Sequence, residues 1–302
     1  MKLLVGGLLI WFLYSRISDT ILSRDLFKLP FSEQAAYWFL LAFSFSFINW
    51  FLEAKKWQVL VSPFQKMKTY LAYQSVLAGL ATGLVTPNRL GNFIGRLAYV
   101  QEGHKTQATI HTQVGNLAQF IISIIIGIGG LFISLIYLNQ NLNLYMFVLT
   151  PGLLLIVAIW LYFNPKSILK LPFGNKIMAW RSKEINDLAA INNSLKWRVL
   201  AFSTGRYSIF IIQYYCLFKV FEISQSPLII SALSATTFLI TTVIPGIFFG
   251  KLLVRESAAV FVFSWIALPI SVILSVSFLL WLINLAIPAA FGWYFWIKKP
   301  KV

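Results

Sequence analysis

Nine stretches of the chain are apolar over a length that meets or approaches a bilayer crossing, at residues 2–15, 35–52, 69–86, 107–137, 144–163, 199–221, 226–247, 257–275 and 277–297. A helical span takes about 20 mostly apolar residues, because backbone N–H and C=O groups cannot be hydrated inside hydrocarbon and must be satisfied within the segment. No polar stretch between these segments is long enough to build a separate core. The sequence therefore predicts an all-α integral membrane protein, a single polytopic membrane domain over 1–302. Composition agrees: 11% of residues are charged, against about 25% in soluble domains.

The net charge is +16, from 25 Lys plus Arg against nine Asp plus Glu. A basic excess of this size fits nucleic acid, anionic lipid or an anionic substrate. Its placement in short loops beside apolar segments, with no extended basic domain, reads as topology signals and headgroup contacts, and nucleic acid is not expected as a partner. Cys216 is the only cysteine, so no disulfide forms within the chain. Lys2 precedes an apolar run to Tyr14 with no small-x-small cleavage site before Arg16, which favours a retained first helix.

Lys and Arg in short connections set the orientation. The tail with Lys298, Lys299 and Lys301, and the 164–198 connection, with seven basic and two acidic residues, both read as cytoplasmic. Residues 53–68, with Lys55, Lys56, Lys66 and Lys68, and residues 87–105, with Arg89, Arg96 and Lys105, also read as cytoplasmic. Both cannot be inside if 69–86 crosses. That segment carries Gln74, Ser75, Thr82 and two glycines before Pro87, so it reads as re-entrant. About eight transmembrane helices plus at least one re-entrant helix then place both termini in the cytoplasm of a multi-pass cell-membrane protein. Within 164–198, apolar residues at helical spacing from Met178 to Leu195 predict a cytoplasmic amphipathic helix lying at the interface.

Two places echo each other, suggesting an internal repeat. Pro87-Asn88-Arg89-Leu90-Gly91-Asn92-Phe93-Ile94-Gly95-Arg96 and Pro245-Gly246-Ile247-Phe248-Phe249-Gly250-Lys251-Leu252-Leu253-Val254-Arg255-Glu256 each follow a helix rich in small residues. Each has proline, Gly-x-x-x-Gly and a basic residue. Helices broken at matching positions of two halves point to a transporter site, while Gly-x-x-x-Gly also serves plain helix packing. Arg89, Asn92, Arg96, Lys251, Arg255 and Glu256 are the candidate headgroup-binding residues. Arg206, seven residues into an apolar segment, either snorkels or meets a cavity or a carboxylate. Thr112, Gln113 and Asn116 on the segment after Thr106 are candidate cavity-lining residues, or equally interhelical glue. Glu53 and Glu256 read as carboxylates at helix ends.

These residues resemble the membrane region of the lysylphosphatidylglycerol synthases and related flippase-like membrane proteins, over nearly the whole chain. The marks are Trp57 after the basic pair Lys55-Lys56, the Pro-x-Arg-x-Gly stretch at Pro87 to Arg96, and the Pro-Gly…Gly…Val-Arg-Glu at Pro245 to Glu256. The chain departs from the family at Asn92, where Glu is frequent, and at Gln113, where a Glu-Arg pair is frequent. The resemblance implies movement of a lipid or lipid-linked headgroup between leaflets. The family's full synthases carry a separate soluble aminoacyl-transferase domain after the membrane part; with the sequence ending at Val302, that chemistry is not expected here.

The expected function is a flippase or transporter holding an anionic phospholipid or lipid-linked substrate in a basic cavity. Alternatives are a non-transporting partner of a cell-envelope enzyme and an intramembrane lipid-modifying enzyme. Against an enzyme stand the lack of His-Glu-x-x-His, Gly-x-Ser-x-Gly or a Cys/His cluster, so no catalytic residue, metal or cofactor is expected. The Gly-rich helices could support a homodimer.

Overall fold

The computed structural model describes residues 30, 32–86, 91–138, 144–170, 187–244 and 250–299, without the side chains of 144–147, 168–170 and 250–253. The apolar run at 2–15, both proline breaks, Arg89, the 139–143 connection and residues 171–186 lie outside these. Every regular element among the described residues is helical. The main helices are α1 (Glu33–Val61), α2 (Thr69–Leu84), α3 (Gly91–Leu97), α4 (Lys105–Tyr137), α5 (Leu144–Phe163), α6 (Asn193–Val220), α7 (Pro227–Val243), α8 (Gly250–Phe263), α9 (Ile270–Trp281) and α10 (Ile287–Ile297). A π-helical turn, Leu282–Ala286, joins α9 to α10, so 270–297 is one continuous helix.

Three helices among the described residues are long and apolar enough to cross a membrane: Glu33–Val61, Glu102–Tyr137 and Ile270–Ile297. Val148–Phe163 and Pro227–Val243 are shorter apolar helices. Starts follow local chemistry. The Ser32 hydroxyl accepts from the Ala35 amide at 3.1 Å, and Glu33 lies in the positive first turn of α1. At α7, Ser226 accepts from the Ile229 amide and Pro227 sits where no N–H is needed.

Two boundaries differ from the sequence expectation. The segment expected to end at 52 continues as α1 to Val61, because the charges that suggested an end are paired inside the protein. The last connection falls at 264–269, not at 276–278. Ala267 adopts a left-handed φ of 52° and Pro269 caps α9, while Ser275 and Ser277 are buried within the helix.

The helices group into two compact units. Among the described residues, those up to 47, those in 123–151 and those in 209–286 form the first unit. Those in 48–122, 152–208 and 287–302 form the second. The first unit's core stacks the rings of Tyr214, Phe218 and Phe263, with Phe218 and Phe263 centroids 4.6 Å apart. Small residues let α7 and α4 approach closely: a Cβ on Gly130 would lie 2.5 Å from that of Ala235. Three of its buried polar groups form a chain: Asn284 in the π-turn donates to Gln213 at 3.0 Å, and Gln213 donates to the Ala42 carbonyl at 2.9 Å.

In the second unit, α3 lies antiparallel on α2 as a close helical hairpin. Gly95 meets the Ala78 carbonyl so tightly that a Cβ would come within 2.4 Å, and Gly91 meets the Thr82 carbonyl in the same way. The Thr82 hydroxyl donates to the Gly91 carbonyl at 2.6 Å, and the Gly91 amide donates to the Thr86 hydroxyl at 2.7 Å. Helix α10 packs on the same α2, with Gly292 against the Leu77 carbonyl and the Tyr99 hydroxyl donating to the Phe295 carbonyl. The α2–α3 hairpin thereby holds Asn92 and Arg96 at a fixed place.

Candidate functional site

The C-terminal half of α1 places Asn49, Trp50, Glu53, Lys56 and Trp57 on one face, at spacings of three, four and seven residues. Glu53 is the centre of this face. Its Oε1 accepts from Arg96 Nη2 on α3 at 2.7 Å, and its Oε2 accepts from Arg206 Nη1 on α6 at 2.5 Å and from Lys56 Nζ at 2.8 Å. Side-chain exposure is 6% for Glu53, 3% for Lys56, 7% for Arg96 and 11% for Arg206, so all four charges are buried.

The two arginines are held alike. Arg96 donates Nε to Asn92 Oδ1 at 3.0 Å, and Arg206 donates Nε to Asn49 Oδ1 at 2.9 Å. Arg96 lies 5.4 Å from the Trp57 ring centroid and Arg206 lies 5.5 Å from that of Trp50. Each guanidinium therefore has an amide oxygen at one edge, a carboxylate oxygen at another and an indole face against its plane. Taking an ion out of water costs several kcal/mol, and only close pairing and hydrogen bonding offset it. Here three cations share one carboxylate, which leaves the group electropositive.

The sequence candidates fall as follows. Asn92, Arg96 and Arg206 come together around Glu53, so Arg206 meets a carboxylate. Arg255 and Glu256 lie in the first unit on α8 and pair with each other. Lys251 lies in the first turn of α8. On α4, Thr112 is buried and its hydroxyl donates to the Ala108 carbonyl at 2.7 Å, whereas Gln113 and Asn116 are exposed. The neighbouring His111 is buried, with Nδ1 2.6 Å from the Leu60 carbonyl oxygen. No group of three or more potential metal ligands comes together among the described residues.

Sequence reasoning missed Asn49, Trp50 and Lys56, and placed Glu53 at a helix end. The signal was present as a polar-aromatic stripe continuing the period of the preceding apolar helix. Ending that helix at the first charge hid it.

No curated protein and no solved structure matches the chain. The family profile of the lysylphosphatidylglycerol synthase TM region matches residues 1–292, nearly the whole chain, in agreement with the apolar helices of a membrane protein. This chain, with its buried Glu53 cluster, belongs to the family defined by the transmembrane region of the lysylphosphatidylglycerol synthases.

Proposed function

We propose that the protein binds a lipid or lipid-linked group by its anionic headgroup and moves it between the leaflets of the cell membrane. The observation that carries this reading is the convergence of Lys56, Arg96 and Arg206 on the single carboxylate of Glu53, all buried. A buried group of this composition is stabilised by an added anion. Guanidinium groups are suited to phosphate because two parallel N–H donors meet two oxygens.

The depth of the cluster fits a headgroup. From Glu33 to Glu53 α1 carries no charged residue, a rise of about 30 Å at 1.5 Å per residue, equal to the hydrocarbon thickness of a typical bilayer. Glu53 then sits at the level where headgroups begin, and the basic connections around it put that level on the cytoplasmic side. In this reading eight helices span, both termini are cytoplasmic, and α2 with α3 forms a re-entrant pair. At 16 residues, α2 rises about 24 Å, short of a full crossing. Arg89 is proposed as a further headgroup contact, and Lys251, Arg255 and Glu256 as headgroup contacts within the first unit by itself.

The test is reconstitution into liposomes carrying labelled anionic lipids, comparing wild type with Arg96→Ala, Arg206→Ala and Arg255→Ala. Wild type should speed leaflet exchange, and the two arginine variants of the Glu53 cluster should abolish it. Equal exchange with and without protein across a broad lipid panel would overturn the proposal.

A further inference from the structure

The Glu53 cluster holds more hydrogen-bond donors than its acceptors take up. Arg96 uses Nε on Asn92 and Nη2 on Glu53. The indole Nε1 groups of Trp50 and Trp57 are buried and have no hydrogen-bond partner among the described residues. Both rings belong to the site, since each lies against one of the two arginines. A buried N–H left unpaired is costly, so such groups call for an explanation. Both unmet groups are donors, and the charge around them is positive. Together they call for an acceptor-only, negatively charged ligand with several oxygens.

Glu53 already imitates part of such a ligand. Its two oxygens bridge Arg96 and Arg206, as two oxygens of a phosphate would, but a planar carboxylate has no third oxygen for an indole N–H. Lys56, three residues on along the same helix, also holds Glu53 through Oε2. The carboxylate thus keeps a partner when the arginines turn to another anion.

We infer that Glu53 is an internal competitor for a tetrahedral phosphate oxyanion, which displaces it from Arg96 and Arg206 and takes its remaining hydrogen bonds from the Trp50 and Trp57 indoles. This rests on the headgroup reading and adds to it the displaced group and two donors. Glu53 is a positioning residue here, and its carboxylate weakens binding while holding the empty site together.

The test is equilibrium binding of short-chain phosphatidylglycerol to the full chain in lipid nanodiscs, repeated with inorganic phosphate to separate a headgroup from the free ion. Glu53→Gln keeps the shape and removes the competing charge, so it should bind about tenfold more tightly than wild type. Trp50→Phe and Trp57→Phe keep an aromatic ring and remove one N–H each, so each should bind about tenfold more weakly. The infrared carboxylate band that Glu53→Gln removes should shift when wild type takes up ligand. If Glu53→Gln does not fold, the tryptophan variants decide. Wild-type affinity in both tryptophan variants overturns the inference while leaving the headgroup reading intact. Equal or weaker binding by folded Glu53→Gln overturns it in the same way. Failure of wild type to bind phosphatidylglycerol, with phosphate still bound in a Glu53-dependent manner, overturns the headgroup reading and keeps the displacement. Failure to bind either probe overturns both.

Discussion

Replacing Glu53 by alanine leaves Lys56, Arg96 and Arg206 buried without the anion between them. Removing one partner of a buried ion pair costs about 3–5 kcal/mol, because the remaining charge is uncompensated. Thermal unfolding of solubilised Glu53→Ala should show a loss of that size, larger than for any single lysine on the surface. Arg96→Lys makes a finer distinction. An ammonium cannot meet Asn92 and Glu53 at once in the fork geometry of a guanidinium, so this variant should lose about 1–3 kcal/mol despite keeping its charge. At this scale the sequence was only partly legible. For Arg206 the sequence left snorkelling, a cavity or a carboxylate open, and the pairing with Glu53 spans 153 positions, a range that no local spacing records.

At the scale of elements, the α2–α3 hairpin depends on the absence of side chains. A Cβ on Gly95 would meet backbone atoms of Ala78 and Gly79, which cannot move away as a flexible side chain can. Gly95→Ala should therefore lose about 1–3 kcal/mol of stability through overpacking, and should displace Arg96 one residue along. Gly129, within α4, has nothing within 4 Å of a Cβ. Gly129→Ala should leave stability unchanged or raise it by about 0.5–1 kcal/mol, the usual helix-interior preference. Denaturation midpoints of the pair, measured in one detergent, check both signs. Helix existence was legible from apolar length alone, whereas ends were less so. Charges stop a helix in sequence reasoning, yet α1 runs on through Glu53 and Lys56 because tertiary partners receive them. The break expected between the segments 257–275 and 277–297 falls inside α9, and the turn is made instead by Ala267 and Pro269.

For the whole molecule, membrane character was legible because hydrocarbon imposes one rule on every segment, and the family match agrees with it. The number and direction of crossings rest on loop charges, which bear on topology and not on packing. That gives a direct prediction. A cysteine placed at Lys299 should be modified by a membrane-impermeant maleimide only when the cytoplasmic face is opened, and one placed at Asn141 only from outside. Cys216 is buried, so unmodified background should be low in both experiments. Labelling of both positions from one side would overturn the eight-span arrangement. The grouping of helices into two compact units was not legible, because it depends on which faces meet and several helices contribute to both.

The π-turn at Leu282–Ala286 gives the 270–297 helix a property that none of its side chains has alone. A wide turn holds an extra residue compared with regular α-helix, so everything after it is rotated relative to what an uninterrupted helix would present. Ser277 before the turn and Gly292 after it each face closely fitted surroundings. Deleting one residue between them would shift the phase of one end of the helix against the other by about 100°, one residue's rotation. Chain length across this turn is therefore constrained as tightly as residue identity, and homologous chains should tolerate substitutions there more readily than single-residue gaps.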